Sequence, residues 1–332
     1  MEGTARGVVC ALIEYRPFRN SDPPFIADIW RGQAPLRGLA QPMSPQLLEE
    51  CVFAKPYFDR DGLILAMDGE QPVGFVHAGF GPSSDGRQLS RTVGTTCMLM
   101  AVSHSQRLAV AAGLVAESER YLRSRGADVL YGGSLAPCNP FYTGLYGGAE
   151  LPGVLSDDEL MQTILSASGY VEHATTVILQ RDLVGFRPPV DRRLMKLKRA
   201  WTIEAAFDPP AANWWEACVW GQMDRSQFQL FSREGGRPCG EAICYEIKSM
   251  AGTWGVTAVG LVKLEIDESC RRQGLGTYLA AEALHQLHVH GAALAEVQMD
   301  AANEPVLALC GKLGFEEVER GTLFRKDASG VG

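Results

Sequence analysis

The sequence predicts an α/β protein of the α+β type, built as two tandem domains, each a central mixed, twisted sheet flanked by helices. Three observations predict it. At 332 residues the chain is long for one domain. Runs of strand-like residues with helices inserted between them describe mixed sheets covered by helices. The same order of elements also occurs twice. Pro72 matches Pro238 at an offset of 166, Ala109 matches Gly274 at 165, and Asn139 matches Asn303 and Tyr146 matches Cys310 at 164. A near-constant offset over four landmarks indicates one duplicated domain rather than an array of short repeats.

Each half begins with a strand (13–15; 202–207), followed by a Trp-containing helical region (25–31; 213–223). Next comes a hairpin, LILAMDGEQPVGFVHAGF in the first half and FQLFSREGGRPCGEAICYEI in the second, with turn residues between two β-rich runs. A central apolar strand follows (95–102; 259–266), then a loop and a helix, then a strand (129–135; 293–299). A further helix leads to Gly169–Tyr170 or Gly314–Phe315, and a last strand (176–180; 322–325) closes the half. About 19 extra residues in the first half, counted between Tyr146 and Gly169, read as an inserted loop near 147–163, because Gly and Pro punctuate them. FRPPVDRR at 186–193 reads as the link between halves. The basic run RRLMKLKR at 192–199 reads as a solvated linker or short exposed helix, with a docking site for an acidic partner as the sharper alternative.

Composition narrows the function. Apolar residues make up 46% of the chain and charged residues 21%, enough for packed cores and too little charge for disorder. The net charge of −8 argues against a nucleic-acid-binding protein, which needs a basic face. No apolar run reaches the roughly 18 residues of a membrane span. The opening MEGTARGVVCALIEYRPF lacks a basic n-region and a long apolar core, so it reads as a start followed by a strand rather than a signal peptide. Nine scattered cysteines without a CxxC pair suit reduced thiols in a cytoplasmic protein. His285, His288 and His290 read as helix-end residues favoured by the helix dipole, and no metal site is expected.

The chemistry concentrates in RRQGLG at 271–276. A strand, a short Gly loop and a helix start make an anion trap: free N–H groups point outward and the helix dipole adds positive charge. Glycine permits positive φ and leaves no Cβ to hold a phosphate away. Here the strand ends at Ile266, Arg271 and Arg272 add charge, and Gly274 and Gly276 free the backbone. The helix beyond has its apolar face at Leu275, Leu279, Ala283 and Leu287. No GK[ST] follows, and the first glycine of a dinucleotide fingerprint is missing. The matching stretch 106–111 reads QRLAVA, with alanines in place of both glycines.

This loop resembles the pyrophosphate loop of the GNAT superfamily of acyl-CoA N-acyltransferases, Q/R-x-x-G-x-G/A, with Arg271, Gly274 and Gly276 at the fixed positions. NEPVLALCGKLGF at 303–315 resembles that family's next signature, an Asn followed by a helix that ends in Gly-Phe. The resemblance covers about 200–327 well and about 12–183 more loosely. It implies two GNAT-like domains: 11–185 with a degenerate cofactor loop, and 200–328 with an intact one, joined by a linker at 186–199. It further implies that the backbone of Leu264–Ile266 pairs with the pantetheine arm, with the Ile266 N–H facing the thioester carbonyl. The N–H groups of Arg271, Arg272, Gln273, Gly274, Leu275, Gly276 and Thr277 would hold the pyrophosphate, and Asn303 would line the far side of the arm. The implied reaction is direct attack of an amine on acetyl-CoA, with no metal. The acceptor is a small molecule or peptide, and the chain is a monomeric pseudo-dimer or a homodimer.

That reaction needs a base, since only about 0.1% of an alkylamine is unprotonated at pH 7. Glu241, Glu246 and Glu265 are the carboxylates near the central sheet, and Glu265 is the least remote. The leaving thiolate, with a pKa of about 8.5, gains only about 2 kcal/mol from protonation at pH 7. In the family pattern a Tyr four residues before the Gly-Phe glycine supplies that proton; here the position holds Cys310, and Tyr146 occupies the matching place in the first half. Trp214 and Trp215 fall where the fold flanks its acceptor. Cys270 lies beside the expected phosphates. The alternative reading is a non-catalytic acyl-CoA sensor or an interaction scaffold built from duplicated domains.

Overall fold

The computed structural model describes residues 12–189 and 192–327; the expected domain edges at 11 and 328, and linker residues 190 and 191, lie outside them. The first half runs β1 (Glu14–Pro17), α1 (Pro23–Arg31), α2 (Pro45–Leu48), β2 (Leu63–Asp68), β3 (Gln71–Pro82), β4 (Leu89–Ala101), α3 (Arg107–Ser124), β5 (Val129–Gly132), β6 (Val154–Leu155), α4 (Glu159–Ala167) and β7 (Val171–Asp182). The second half runs α5 (Arg192–Ala200), β8 (Trp201–Phe207), α6 (Trp214–Trp220), β9 (Arg225–Ser232), β10 (Gly240–Glu246), α7 (Ala251–Trp254), β11 (Ala258–Ile266), α8 (Leu275–Val289), β12 (Leu294–Asp300), α9 (Glu304–Lys312) and β13 (Glu316–Asp327).

The halves do not close separate sheets. The strand order is β1-β2-β3-β4-β5-β13-β7-β12-β11-β10-β9-β8, with β6 on the side of β13. The last strand of each half is exchanged: β13 pairs with β5, from Phe324↔Gly132 to Asp327↔Val129, and β7 pairs with β12, from Leu294↔Asp182 to Asp300↔Thr176. The exchanged strands also pair with each other. Three buried clusters cover this sheet. One packs α3 and α4 on the first half, and one packs α8 and α9 on the second. The third joins α1 to Tyr245, Ile247, Met250 and Ala258 of the second half.

Helix caps relocate the insertion. Asn303 caps α9, its side chain accepting from the Val306 N–H, and Asp158 caps α4, its side chain accepting from the Met161 N–H. Both helices lead into a left-handed glycine before an aromatic residue, Gly314 (φ 76°) and Gly169 (φ 85°). Asp158, not Asn139, is therefore the counterpart of Asn303. Leu165, not Tyr146, is the counterpart of Cys310. The extra residues precede α4, as the loop 133–153, rather than lying near 147–163. That loop is largely buried, and Phe141, Tyr142, Leu145 and Tyr146 belong to the cluster shared by the two halves.

Candidate functional site

Strand divergence opens the site. β11 pairs in parallel with β12 only from Ala258↔Leu294 to Gly260↔Glu296. Beyond Gly260, β11 keeps its antiparallel partner β10 but, among the described residues, has no strand partner on its other side. A bulge leaves Val262 unpaired, between Ile243↔Lys263 and Cys244↔Leu261. The Asp267 N–H donates across to the Cys239 carbonyl at 2.8 Å. Because successive N–H groups of a strand alternate in direction, those of Leu264 and Ile266 point to the open side.

The loop after β11 has the backbone that its glycines suggest. Arg272 (φ 64°) and Gly274 (φ 84°) are both left-handed, and α8 starts at Leu275. The first-turn N–H groups of α8, from Leu275 to Thr277, therefore face outward beside the open strand edge. The Arg271 guanidinium turns back to the Ile266 carbonyl at 2.9 Å. Arg193 of α5 donates to the carbonyls of Arg272 at 3.1 Å and Gln273 at 3.2 Å, so the interdomain helix buttresses the loop. The basic run 192–199 is a short exposed helix, as one of its two sequence readings has it, with Leu194 and Leu197 resting on the second-half core.

The counterpart in the first half is built differently. α3 begins at Arg107, so Ala109 lies inside a helix and not in a left-handed loop. Position 109 aligns with Gly274, yet the helix starts three residues earlier in the alignment. An Ala at positive φ would be strained, but the helix keeps Ala109 out of that conformation.

On one face of β10 and β11 lies an open cleft of about 580 Å³. Its walls come from both halves: Trp215, Glu216 and Trp220 of α6, Arg225 and Gln227 of β9, Glu241 and Ile243 of β10, and Val262, Lys263 and Glu265 of β11, facing Pro137, Asn139 and Glu150 of the inserted loop. Lys263 bridges Glu241 at 2.7 Å and Glu265 at 3.4 Å, and Arg225 pairs with Glu216 at 2.6 Å. Four carboxylates against two cations leave the cleft acidic.

The sequence of residues 192–315 matches the Acetyltransferase (GNAT) family. That match lies wholly within the second half and spans 124 of the 332 residues. No curated protein sequence matches the chain. In fold, the whole chain is similar to a tandem GNAT protein from the clavulanic acid biosynthesis pathway, at 15% identity and TM-score 0.66, over 97% of this chain and 100% of that one. It is also similar to a GCN5-related glucosamine N-acetyltransferase region of a fungal multi-domain GH3 β-N-acetylglucosaminidase, at 16% identity and TM-score 0.65, over 96% of this chain and 38% of that one. A third similar structure is a GCN5-related N-acetyltransferase from Sphaerobacter thermophilus, at 12% identity and TM-score 0.61, over 95% of each chain. At these identities the likeness establishes the fold alone.

Within this fold the sequence candidates separate. Leu264, Ile266, Arg271, Arg272, Gln273, Gly274, Leu275, Gly276 and Thr277 form one continuous edge and loop. A Cβ on Gly276 would come 3.2 Å from Leu309 of α9, so its absence serves helix packing as well. Asn303 caps α9. Glu265 lines the cleft with a largely exposed side chain. Glu246 lies instead on a separate small cavity between the halves. Trp215 lines the cleft, whereas Trp214 packs edge-on against Tyr57.

Two proposed acids do not fit that role. Cys310 is buried in the α8–α9 core, and burial pushes its thiol up to about 11. The Tyr146 hydroxyl donates to Asp158 at 2.9 Å and accepts from the Leu155 N–H at 3.0 Å, inside the core. It pins the inserted loop to the start of α4.

Sequence reading missed Glu150. It lines the cleft from the other half, and its carboxylate has no hydrogen-bond or ion-pair partner among the described residues. Burial and the neighbouring Glu296 push it up to about 7. No feature local to GGAELPG marks it, because its position depends on contacts more than a hundred residues away.

Proposed function

We propose that the protein is an N-acetyltransferase that moves acetyl from acetyl-CoA to a primary amine by direct attack, with the donor held by the second half. The observation that carries this reading is the open edge of β11 running straight into a left-handed glycine loop and the start of α8. Backbone N–H groups from Arg272 to Thr277 would take the pyrophosphate, the Arg271 N–H being held by the Glu268 carbonyl at 3.3 Å, and Leu264 and Ile266 would pair with the pantetheine arm. With the phosphates anchored just past Ile266, the arm runs back along β11. Val262 lies about 13 Å further along at 3.3 Å per residue. The thioester would thus meet the bulge rather than the Ile266 N–H, and backbone groups freed from the ladder there would stabilise the developing oxyanion.

The acceptor enters from the acidic, Trp-lined cleft on the β10–β11 face. Its excess of carboxylates favours a cationic amine. The first half shapes that cleft and has no glycine loop of its own. Isothermal titration with acetyl-CoA should give one site per chain, and free thiol should appear when amines are added. Gly274→Glu should abolish binding. Absence of acetyl-CoA binding to the unaltered chain would overturn the reading, and two sites per chain would overturn the division of labour.

A further inference from the structure

We propose that Glu150, carried by the inserted loop of the first half, is the proton acceptor for the amine in the cleft of the second half, so that both halves build one active site. This rests on the transferase reading above and goes beyond it by assigning the acceptor-side chemistry to the opposite half.

The loop is anchored where the strands part. The Cβ of Ala149 lies against Gly260, the last residue of β11 that pairs with β12. The Ala149 N–H donates to Glu296 at 2.7 Å, and the Tyr245 hydroxyl donates to the Ala149 carbonyl at 2.7 Å. Gln298 of β12 donates to the carbonyls of Gly147 at 2.9 Å and Glu150 at 3.1 Å. These bonds fix the backbone of Glu150 at the apex of the divergence, where the residue lines the cleft opposite Val262 and Glu265 and also borders a small cavity with Thr176 and Gln298. A thioester at the Val262 bulge and an amine in the cleft would meet beside it.

The other carboxylates are engaged. Burial lifts the Glu241 carboxyl, but hydrogen bonds from Lys263 and Gln227 outweigh it and hold it below its ordinary value. Glu216 is paired with Arg225, and Glu265 is largely in solvent beside Lys263. Glu150 has no such partner, and with its carboxyl raised to about 7 it is matched to deprotonating an ammonium near neutral pH. The groups facing it are Glu296 of β12, with Arg37 beyond, and Tyr245 of β10. Across the cleft stand Glu216, Arg225, Glu241, Lys263 and Glu265.

In the step, the Glu150 carboxylate takes one proton from the ammonium. The freed lone pair forms the N–C bond at the thioester carbonyl, and the C–S bond breaks with its electron pair on sulfur. The second proton lost from nitrogen goes to the thiolate or to solvent.

The test compares Glu150→Gln and Glu150→Asp with the unaltered chain. Two kinds of acceptor are used: alkylamines (lysine peptides, polyamines and amino sugars), and hydroxylamine, which is largely unprotonated at neutral pH and needs no base. Thermal unfolding and acetyl-CoA titration accompany each variant. The proposal expects Glu150→Gln to bind acetyl-CoA as before and to transfer to hydroxylamine within a few-fold of the original rate. Its alkylamine rate should fall about 100-fold or more, lose the rise of kcat through pH 7, and recover in part in Glu150→Asp. Equal loss with both acceptors, or no loss with alkylamines, overturns the role of Glu150 and leaves the transferase reading standing. Acetyl-CoA binding without transfer to any acceptor overturns both.

Discussion

A Cβ placed on Gly260 would lie 2.6 Å from the Cβ of Ala149. The strand that opens the site and the loop entering it from the other half touch at this pair, with the Tyr245 ring only 3.2 Å from the same point. There is no room for a methyl group. Gly260→Ala should destabilise the chain by about 1–3 kcal/mol, the usual range for overpacking a close contact, measured by urea unfolding. Because the opposing atom is the Ala149 Cβ, Ala149→Gly in the same chain should return part of that loss. Simple additivity of the two substitutions would mean the loop and the strand are not coupled.

Gly274 and Ala109 align in sequence and differ in backbone. Gly274→Ala sets a Cβ at φ 84°, within 3.1 Å of Arg193 Nε. The left-handed conformation alone costs about 1–2 kcal/mol, so the loop should shift and acetyl-CoA affinity should fall roughly tenfold or more by titration. Ala109→Gly acts on a helix already formed. It should cost about 0.5–1 kcal/mol of stability and add no acetyl-CoA site. A second site appearing in that variant would show that the alanines alone had silenced the first half.

What could be read from the sequence follows from which constraints are local. The left-handed turn at 274 needs glycine, so RRQGLG announced itself, and the α8 core face followed from its 3.6-residue period. The hairpins and central strands followed from alternation and turn residues. The exchange of β7 and β13 left no mark, because an apolar closing strand carries the same pattern whichever sheet edge receives it. Matching residue identity, Asn to Asn, puts the insertion after Tyr146, whereas the helix caps put it before α4. The cap that starts α4 is Asp158, and the next signal of a helix start would have been its acidic first turn at Glu159. Glu150 owes its position to Gly260, Gln298 and Glu296, none of them near it in sequence.

Tyr146 distinguishes a structural tyrosine from a proton donor. Its hydroxyl bridges Asp158 and the Leu155 N–H in the core. Tyr146→Phe leaves a buried donor and a buried carboxylate short of a partner, which costs about 1–3 kcal/mol. The expected result is a lower unfolding midpoint with the pH profile of acetyl transfer unchanged. Loss of the alkaline limb of that profile, at unchanged stability, would restore Tyr146 as an acid.

Glu296 makes the fold itself sensitive to pH. It lies wholly buried on β12, accepting from Ala149, Gln298 and Gln180, with Arg37 at 3.8 Å. Burial nevertheless raises its carboxyl from an ordinary 4.5 to about 7, against those hydrogen bonds and the Arg37 charge. Between these values the folded chain holds a proton that the unfolded chain has released, so stability falls as pH rises through that window. The change attributable to Glu296 is on the order of 3 kcal/mol at about 1.4 kcal/mol per unit, and Glu150, raised in the same direction, adds to it. Glu296→Gln cannot titrate. It should be less stable than the unaltered chain at pH 5, because its amide nitrogen must face a donor from Ala149, Gln180 or Gln298, but it should lose less stability between pH 5 and pH 7.5. Urea unfolding at the two pH values gives both slopes. Parallel slopes would show that Glu296 is ionised throughout and that Arg37 and the three donors outweigh its burial.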